Sequence, residues 1–195
     1  KVIRSIRRDI SDEAYLYVYY ASLSDEEDAL QAIYQFLRVG FATGSSVLEQ
    51  YANPSVMRIV ELRRKVGNEC HHFREFARFE SLNGSVYVSH LEPKSDVIML
   101  VGRHFADRMP SEHWMIIDDK RKIACIHPKD GTNYLRYLTD EEFDTLRKTE
   151  EYTDTYTDLW KTFFHAVGIK ERENYICQRN LFPKWKRKHA VEFRK

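Results

Sequence analysis

The stretch FESLNGSVYVSHL, residues 79–91, decides the fold class of this chain. Two β-prone runs, 79–82 and 85–91, flank Asn83-Gly84, and an Asn-Gly pair between such runs is the strongest short-range signal for a β-hairpin. In the register of a two-residue turn, Phe79, Val86 and Val88 share one face. We therefore predict a tight antiparallel hairpin with one apolar face.

A second hairpin is predicted further along the chain. Residues 113–117 and 122–127 are strand-like and are separated by the charged turn DDKR, residues 118–121. Between the two hairpins, Ser95-Asp96 opens a predicted helix, which carries His104 on its apolar face and ends before Pro110. We expect both hairpins to belong to one sheet.

Helices are predicted on both sides of the hairpins. Residues 13–21 favour a helix, Ser24 with the acids after it signals another helix start, and Pro54 stands at the first position of a third, which Gly67 weakens but does not stop. Thr139 and Glu142 form a capping box, and Thr153-Asp154 opens a long helix. The predicted apolar stripes are Leu30, Ile33, Tyr34, Leu37 and Phe41; Ile59, Leu62, Val66 and Phe73; and Tyr156, Leu159, Trp160, Phe163, Phe164 and Val167.

These elements predict an α+β protein with a small, mostly antiparallel sheet of two hairpins packed by several helices. A chain of 195 residues suits one core, so we expect a single domain over 1–195. The chain begins at Lys1 without an initiator Met, and we expect the full-length protein to have a further N-terminal segment. No apolar run has the length of a membrane span and no signal peptide is recognisable, so a cytoplasmic location is expected.

Cysteine and histidine spacing predicts no cofactor and no metal. Cys70, Cys125 and Cys177 are scattered and have no CxxC spacing, as is typical of free thiols in a reducing compartment. The eight histidines show no zinc-ligand spacing. Neither a Walker-type phosphate loop nor a dinucleotide fingerprint is present.

Charge is segregated near the C-terminus although the whole chain carries a formal charge of only +1. Residues 140–158 hold eight acids and two bases, whereas residues 179–195 hold seven bases and one acid. Cations neutralise phosphates, and aromatic side chains among them can stack on unpaired bases. The predicted nucleic-acid-binding residues are Arg179, Lys184, Trp185, Lys186, Arg187 and Lys188, extended by Arg74 and Arg78. The alternative is a structural end, with Phe182 and Trp185 packed on the domain and the cations neutralising the acidic segment.

An enzymatic alternative rests on four candidate residues, His104, Asp107, His113 and Asp118. Asp118-x-Lys120 and Glu92-x-Lys94 have the acid-x-Lys spacing of some Mg²⁺-dependent nucleases. Such spacing is frequent by chance in a charged chain, and Asp118 also stands where a hairpin turn favours Asp.

Seven stretches resemble an uncharacterised family described as probable DNA metabolism proteins. They are residues 5–21 (SIRRDISDEAYLYVYYA), 24–41, 65–79 around HHFREFARF, 104–108 (HFADR), 113–122 (HWMIIDDKRK), 160–172 (WKTFFHAVGIKER) and 179–188 (RNLFPKWKRK). The resemblance implies work beside a radical-SAM protein or a uracil-DNA glycosylase-like protein, and it implies no reaction and no catalytic residue.

Three hypotheses follow from the sequence. The first is a DNA-binding accessory module of DNA repair or base modification, with single-stranded or damaged DNA favoured as the ligand. The second is an enzyme acting on nucleic acid, either a nuclease or glycosylase-like. The third is a protein–protein adaptor without DNA contact.

Overall fold

The computed structural model describes residues 1–82, 84–149, 159–160, 162–163, 166–167, 174–184, 187–190 and 193. It is a mixed helix and strand structure with one five-stranded sheet, so the predicted α+β class is confirmed. The chain divides into two compact units, residues 1–71 with 94–97 and residues 72–93 with 98–195. The single domain expected from the chain length stays a prediction.

The first unit is helical. Helix α1 spans Val2–Asp9, α2 Asp12–Ser22 and α3 Ala29–Thr43, and a 3-10 helix at Gly44–Glu49 leads to α4, Pro54–Phe76. The last residues of α4, 72–76, belong to the second unit. The helix predicted over 13–21 is thereby confirmed as α2, which Ser11 caps by accepting a hydrogen bond from the Ala14 amide at 3.0 Å. Pro54 does begin α4, and Gly67 lies inside it. Val56, Ile59 and Leu62 of α4 are fully buried, as the predicted stripe requires.

The start and buried face of α3 differ from the prediction. The helix begins at Ala29 rather than after Ser24, whose hydroxyl instead accepts a hydrogen bond from the Glu26 amide within a turn. The buried face of α3 consists of Ala29, Ala32, Phe36 and Gly40. The exposed side carries Leu30, Tyr34 and Phe41. Ile33 and Leu37 of the predicted stripe are partly buried against this core, so the stripe is only partly correct.

Carboxylates before α3 pair with cations of α4 and hold the irregular 23–28 segment. Arg58 donates to Asp28 at 2.6 Å and to Glu26 at 3.1 Å, and Lys65 contacts Asp25 and Glu26. The Lys65 hydrogen bond, followed by the Arg58 one, lowers the pKa of Glu26. Acids that the sequence assigned to a helix start therefore serve as a tertiary contact.

The second unit contains the sheet, whose strand order is the chain order, β1 to β5. The strands are β1 Glu80–Leu82, β2 Val86–Leu91, β3 Trp114–Asp118, β4 Ile123–His127 and β5 Tyr134–Tyr137. Strands β2 and β3 pair in parallel, and every other neighbouring pair is antiparallel. Both predicted hairpins thus lie in one mostly antiparallel sheet, but helix α5, Ile98–Arg108, links them through a parallel crossover, and β5 was not predicted.

The first hairpin has a different turn from the one predicted, and this reverses the side on which Phe79 lies. Leu82 pairs with Val86, so three residues separate the strands, and Gly84 has a φ of +71°. Asn83 lies outside the described residues. Because strand side chains alternate, one extra turn residue moves Phe79 to the face opposite Val86 and Val88. Phe79 accordingly contacts Phe105 of α5, with ring centroids 4.8 Å apart.

The two faces of the sheet are covered by different helices. Helix α5 packs on β3 and β4, where Gly102 meets Cys125. On the opposite face, Phe143 of α6, Asp140–Thr149, joins a core with Val88 and Ile117. The predicted capping box begins α6, since the Glu142 amide donates to the Thr139 hydroxyl at 3.2 Å and the Thr139 amide donates to Glu142 at 3.0 Å.

The long helix predicted from Thr153-Asp154 falls on residues that are described only in part. Thr153-Asp154 and most of the predicted stripe lie outside the described residues, whereas Leu159, Trp160, Phe163 and Val167 are described and exposed. Helix α7, Tyr175–Leu181, leads into the basic C-terminal segment.

Candidate nucleic-acid interface

Phe182 attaches the basic C-terminal segment to the second unit. Its ring is 5% exposed, stacks on Phe76 of α4 at a centroid distance of 3.9 Å and lies 5.7 Å from Phe193. Ala190 is also buried. The alternative in which Phe182 packs on the domain is therefore correct for this residue, while Trp185 and Lys186 lie outside the described residues.

Three of the predicted nucleic-acid-binding cations meet at one depression, which we call the basic pocket. Its volume is about 230 Å³, and its lining residues are Tyr175, Ile176, Arg179, Lys184 and Arg187. Tyr175 and Arg179 are one helical turn apart on α7, so they project on the same side. Among the described lining residues three are cationic and none is acidic, which suits an anionic group such as a phosphate.

Arg187 is held in place by its neighbours. Its Nε donates to the Phe182 carbonyl at 2.8 Å, and its guanidinium lies 4.8 Å from the Phe193 ring centroid and 5.8 Å from that of Phe182. Fixing the guanidinium before a ligand arrives reduces the ordering cost of binding.

Three other predicted cations, Lys188, Arg74 and Arg78, have partners within the protein. Lys188 donates to Glu92 at 2.8 Å, and Arg74 donates to the Leu100 carbonyl at 3.1 Å. Arg78 donates to the Glu75 and Ala77 carbonyls and lies 5.5 Å from the Trp160 ring centroid. These contacts assign Lys188, Arg74 and Arg78 structural roles beside any ligand contact.

The acids at the start of α6 pair with cations from the sheet region. Lys122 contacts Asp140 and lowers the pKa of that carboxyl, and Arg136 of β5 contacts Glu142. The Thr139 amide is the main cause of the lowered pKa of Glu142. The neutralisation expected between the acidic and basic segments is thus supplied, at these two acids, by Lys122 and Arg136.

A buried cluster of His90, Asp119 and His189 joins the segment to the sheet. Asp119 Oδ1 accepts from His90 Nδ1 at 2.8 Å, and Asp119 Oδ2 lies 3.7 Å from His189 Nε2. The His90 and His189 rings stack at 6.1 Å, and the three side chains are 2%, 9% and 11% exposed, in the order His90, Asp119, His189. A carboxylate that orients an imidazole also occurs at catalytic bases. Here the three side chains are largely closed from solvent, and they anchor the turn at residues 187–190 to the sheet.

Sequence reasoning missed this cluster because it depends on the parallel pairing. His90 precedes the end of β2 and Asp119 follows β3, and parallel strands bring their carboxyl ends to the same edge. Tyr175 and Ile176 of the basic pocket were also missed. The spacing of Tyr175 and Arg179 was the one local signal available for them.

The four enzymatic candidates do not form one site. His113 precedes β3 and Asp118 ends it, which separates them by roughly 16 Å of extended chain. Asp118 is fully buried and accepts from the Lys120 and Arg121 amides and from the Arg121 side chain, so it forms the hairpin turn. Burial raises the pKa of Asp118, against the opposing effect of Arg121.

The other three enzymatic candidates, His104, Asp107 and His113, are half-buried or exposed. His113 is exposed and accepts from the Lys129 amide at 3.1 Å. His104 is half-buried on α5, where burial lowers its pKa, Arg74 and Arg108 lower it further, and the exposed Asp107 raises it. In the described parts of the chain, no group of three or more His, Cys, Asp or Glu is arranged to hold a metal ion. No helix among these residues is both long enough and apolar enough to cross a bilayer.

Comparisons with known proteins identify one family. A search of curated proteins and a search of solved structures each found no match. The model of a family described as a domain of unknown function, DUF4130, matches residues 27–192 and thus includes the sheet and the basic pocket. The chain therefore belongs to the DUF4130 family.

Proposed function

We propose that this chain is a DNA-binding accessory module of a DNA repair or base-modification system, and that it holds DNA at the basic pocket. The observation that carries the proposal is the convergence of Arg179, Lys184 and Arg187 on one depression. All three were predicted to bind nucleic acid from the segregation of charge, the aromatic residues among the cations and the family resemblance. Because the three cations line one pocket, they can contact the same anionic group, which cations scattered over a solvated surface cannot do.

The number of cations sets the expected salt dependence. Each neutralised phosphate contributes about −0.7 to the slope of log affinity against log salt for a single strand, so three contacts give about −2. Binding of this kind is electrostatic and tolerant of sequence. It suits a module that holds a strand while a partner performs chemistry.

The test compares two double charge reversals with the same change in net charge. Arg179→Glu with Lys184→Glu removes two pocket cations, while Lys129→Glu with Arg147→Glu changes two exposed cations elsewhere in the second unit. Fluorescence anisotropy with labelled oligonucleotides is measured over a salt series. The pocket variant is expected to lose more than tenfold in affinity and most of the salt slope, and the control less than threefold.

Equal losses in both variants would show that net charge, and not the pocket, determines binding. Absence of salt-dependent binding by the parent chain would refute the proposal and favour the adaptor hypothesis. Mg²⁺-dependent strand cleavage that Asp118→Ala abolishes would favour the nuclease hypothesis.

The radical-SAM or uracil-DNA glycosylase-like partner is proposed from the resemblance alone. For a glycosylase-like partner, uracil excision from single-stranded DNA is measured with and without this chain. Delivery of DNA predicts a lower KM with little change in kcat, and the pocket variant should not produce it. An unchanged KM with the parent chain would refute this part.

A further inference from the structure

Tyr175 presents an exposed aromatic ring in the wall of the basic pocket. The residue is 72% exposed, and its neighbour Ile176 is 67% exposed. Two large apolar residues open to solvent beside three cations differ from a plain phosphate site, where only charge and hydrogen-bond donors are needed. The combination provides one surface for an anion and another for a flat apolar group.

Two elements line the pocket, and both contribute cations. Tyr175, Ile176 and Arg179 project from α7, whereas Lys184 and Arg187 follow Phe182 in the C-terminal segment. Phe182 packs on Phe76, and the Phe182 carbonyl accepts a hydrogen bond from Arg187, so the Arg187 side of the pocket is held in place within the second unit. An anion bound there lies next to the Tyr175 wall.

The size of the pocket limits the ligand. Pockets for drug-sized ligands measure about 300–1,000 Å³, and this one measures about 230 Å³. It can take the phosphate of one nucleotide with part of its base, whereas a duplex can offer it a backbone phosphate but no free base. Inside a duplex each base is already stacked and paired, so its face is not accessible to a tyrosine ring, whereas an unpaired base can stack on one.

We propose that the basic pocket binds one unpaired nucleotide, with its phosphate on Arg179, Lys184 and Arg187 and its base stacked on Tyr175. This inference rests on the proposed function and specifies its ligand as single-stranded or locally unpaired DNA. Tyr175 thereby distinguishes unpaired from paired strands, and the cations supply affinity that is common to both.

The experiment separates the base from the phosphate with three probes of equal length, an oligothymidylate, an abasic oligomer with the same phosphates, and a duplex. Tyr175→Leu removes the ring and keeps apolar bulk, and Tyr175→Phe keeps the ring as the matched control. Loss of one stacked base predicts that Tyr175→Leu binds oligothymidylate about 5- to 150-fold more weakly, and that Tyr175→Phe binds as the parent does. The affinities of Tyr175→Leu for the abasic oligomer and for the duplex should stay within about twofold of the parent's affinities. The slope of log affinity against log salt should not change.

Each result has a distinct meaning. Equal losses for Tyr175→Leu on oligothymidylate and on the abasic oligomer would overturn base stacking while leaving phosphate binding intact. No loss on either probe, with the parent binding normally, would also overturn this inference and spare the proposed function. A parent chain that binds none of the three probes would overturn both. Because Tyr175 is exposed, the variants should keep the parent's melting temperature, which circular dichroism verifies.

Discussion

Gly102 is a position where α5 approaches the sheet tightly, and replacing it with alanine tests that packing. A Cβ at Gly102 would lie 2.4 Å from Cys125 Sγ and 3.3 Å from Asn133 Nδ2. Cys125 is completely buried on β4, so its sulfur has little room to move. The matched control is Gly67→Ala on α4, where an added Cβ meets nothing within 4 Å.

The expected free energies of unfolding differ in sign or size between these variants. Gly67→Ala should stabilise by about 0.8–1 kcal/mol because alanine favours a helix over glycine. Gly102→Ala gains the same helix preference but overpacks the core, which costs about 1–3 kcal/mol. Gly102→Ala should therefore be about 1–3 kcal/mol less stable than Gly67→Ala, which corresponds to roughly 2–12 °C in melting temperature.

Urea unfolding followed by far-UV circular dichroism measures these free energies, and Cys125→Ala provides the decisive background. Without the sulfur, Gly102→Ala should become stabilising by about 1 kcal/mol, so a double-mutant cycle should give a coupling of about 1–3 kcal/mol. If Gly102→Ala stabilises the parent as much as Gly67→Ala does, or if the coupling is absent, the tight contact between α5 and β4 is refuted.

Three further outcomes are expected. Burial raises the pKa of the Cys125 thiol to about 11, whereas Cys177 is exposed. The Cys177 thiol should therefore react quickly with a disulfide reagent at pH 8, and Cys177→Ser should remove this fast phase. Asp119→Ala should cost about 1–3 kcal/mol by leaving buried His90 without its acceptor, and hydrogen exchange near residues 187–190 should rise; unchanged exchange would contradict the anchoring role. The raised pKa of Asp118 makes the folded state bind its proton more tightly, so this group favours folding at low pH and the contribution is lost as pH rises through the raised pKa. Asp118→Asn should remove that part of the pH dependence in urea titrations, and an unaltered profile would contradict the assignment.

Local signals predicted most elements of the fold because their causes act over a few residues. The Thr139 capping box satisfies free amides at a helix start, and Pro54 needs no amide partner at a first helical position. Signals that tertiary contacts can divert were less reliable. Ser24 and its acids read as a helix start, yet the acids pair with Arg58 and Lys65.

The candidate site was predictable in its charge but not in its shape. Arg179, Lys184 and Arg187 were selected because they are cations in a basic segment, and they line one pocket. Lys188 has the same local signal, but it pairs with Glu92, which lies 96 positions away in the chain. Local sequence carries no information about a partner at that distance.

Short-range sequence was sufficient for the α+β class, both hairpins and the segregation of charge, since alternation, capping and turn residues act between near neighbours. Long-range contacts decided that β2 and β3 run in parallel, and so brought His90 and Asp119 to one edge of the sheet. They also decided the side of the sheet on which Phe79 lies, because one additional turn residue reverses every side chain of a strand. The basic pocket also depends on tertiary structure, because Lys184 and Arg187, which follow Phe182 in the chain, line it together with Arg179 of α7.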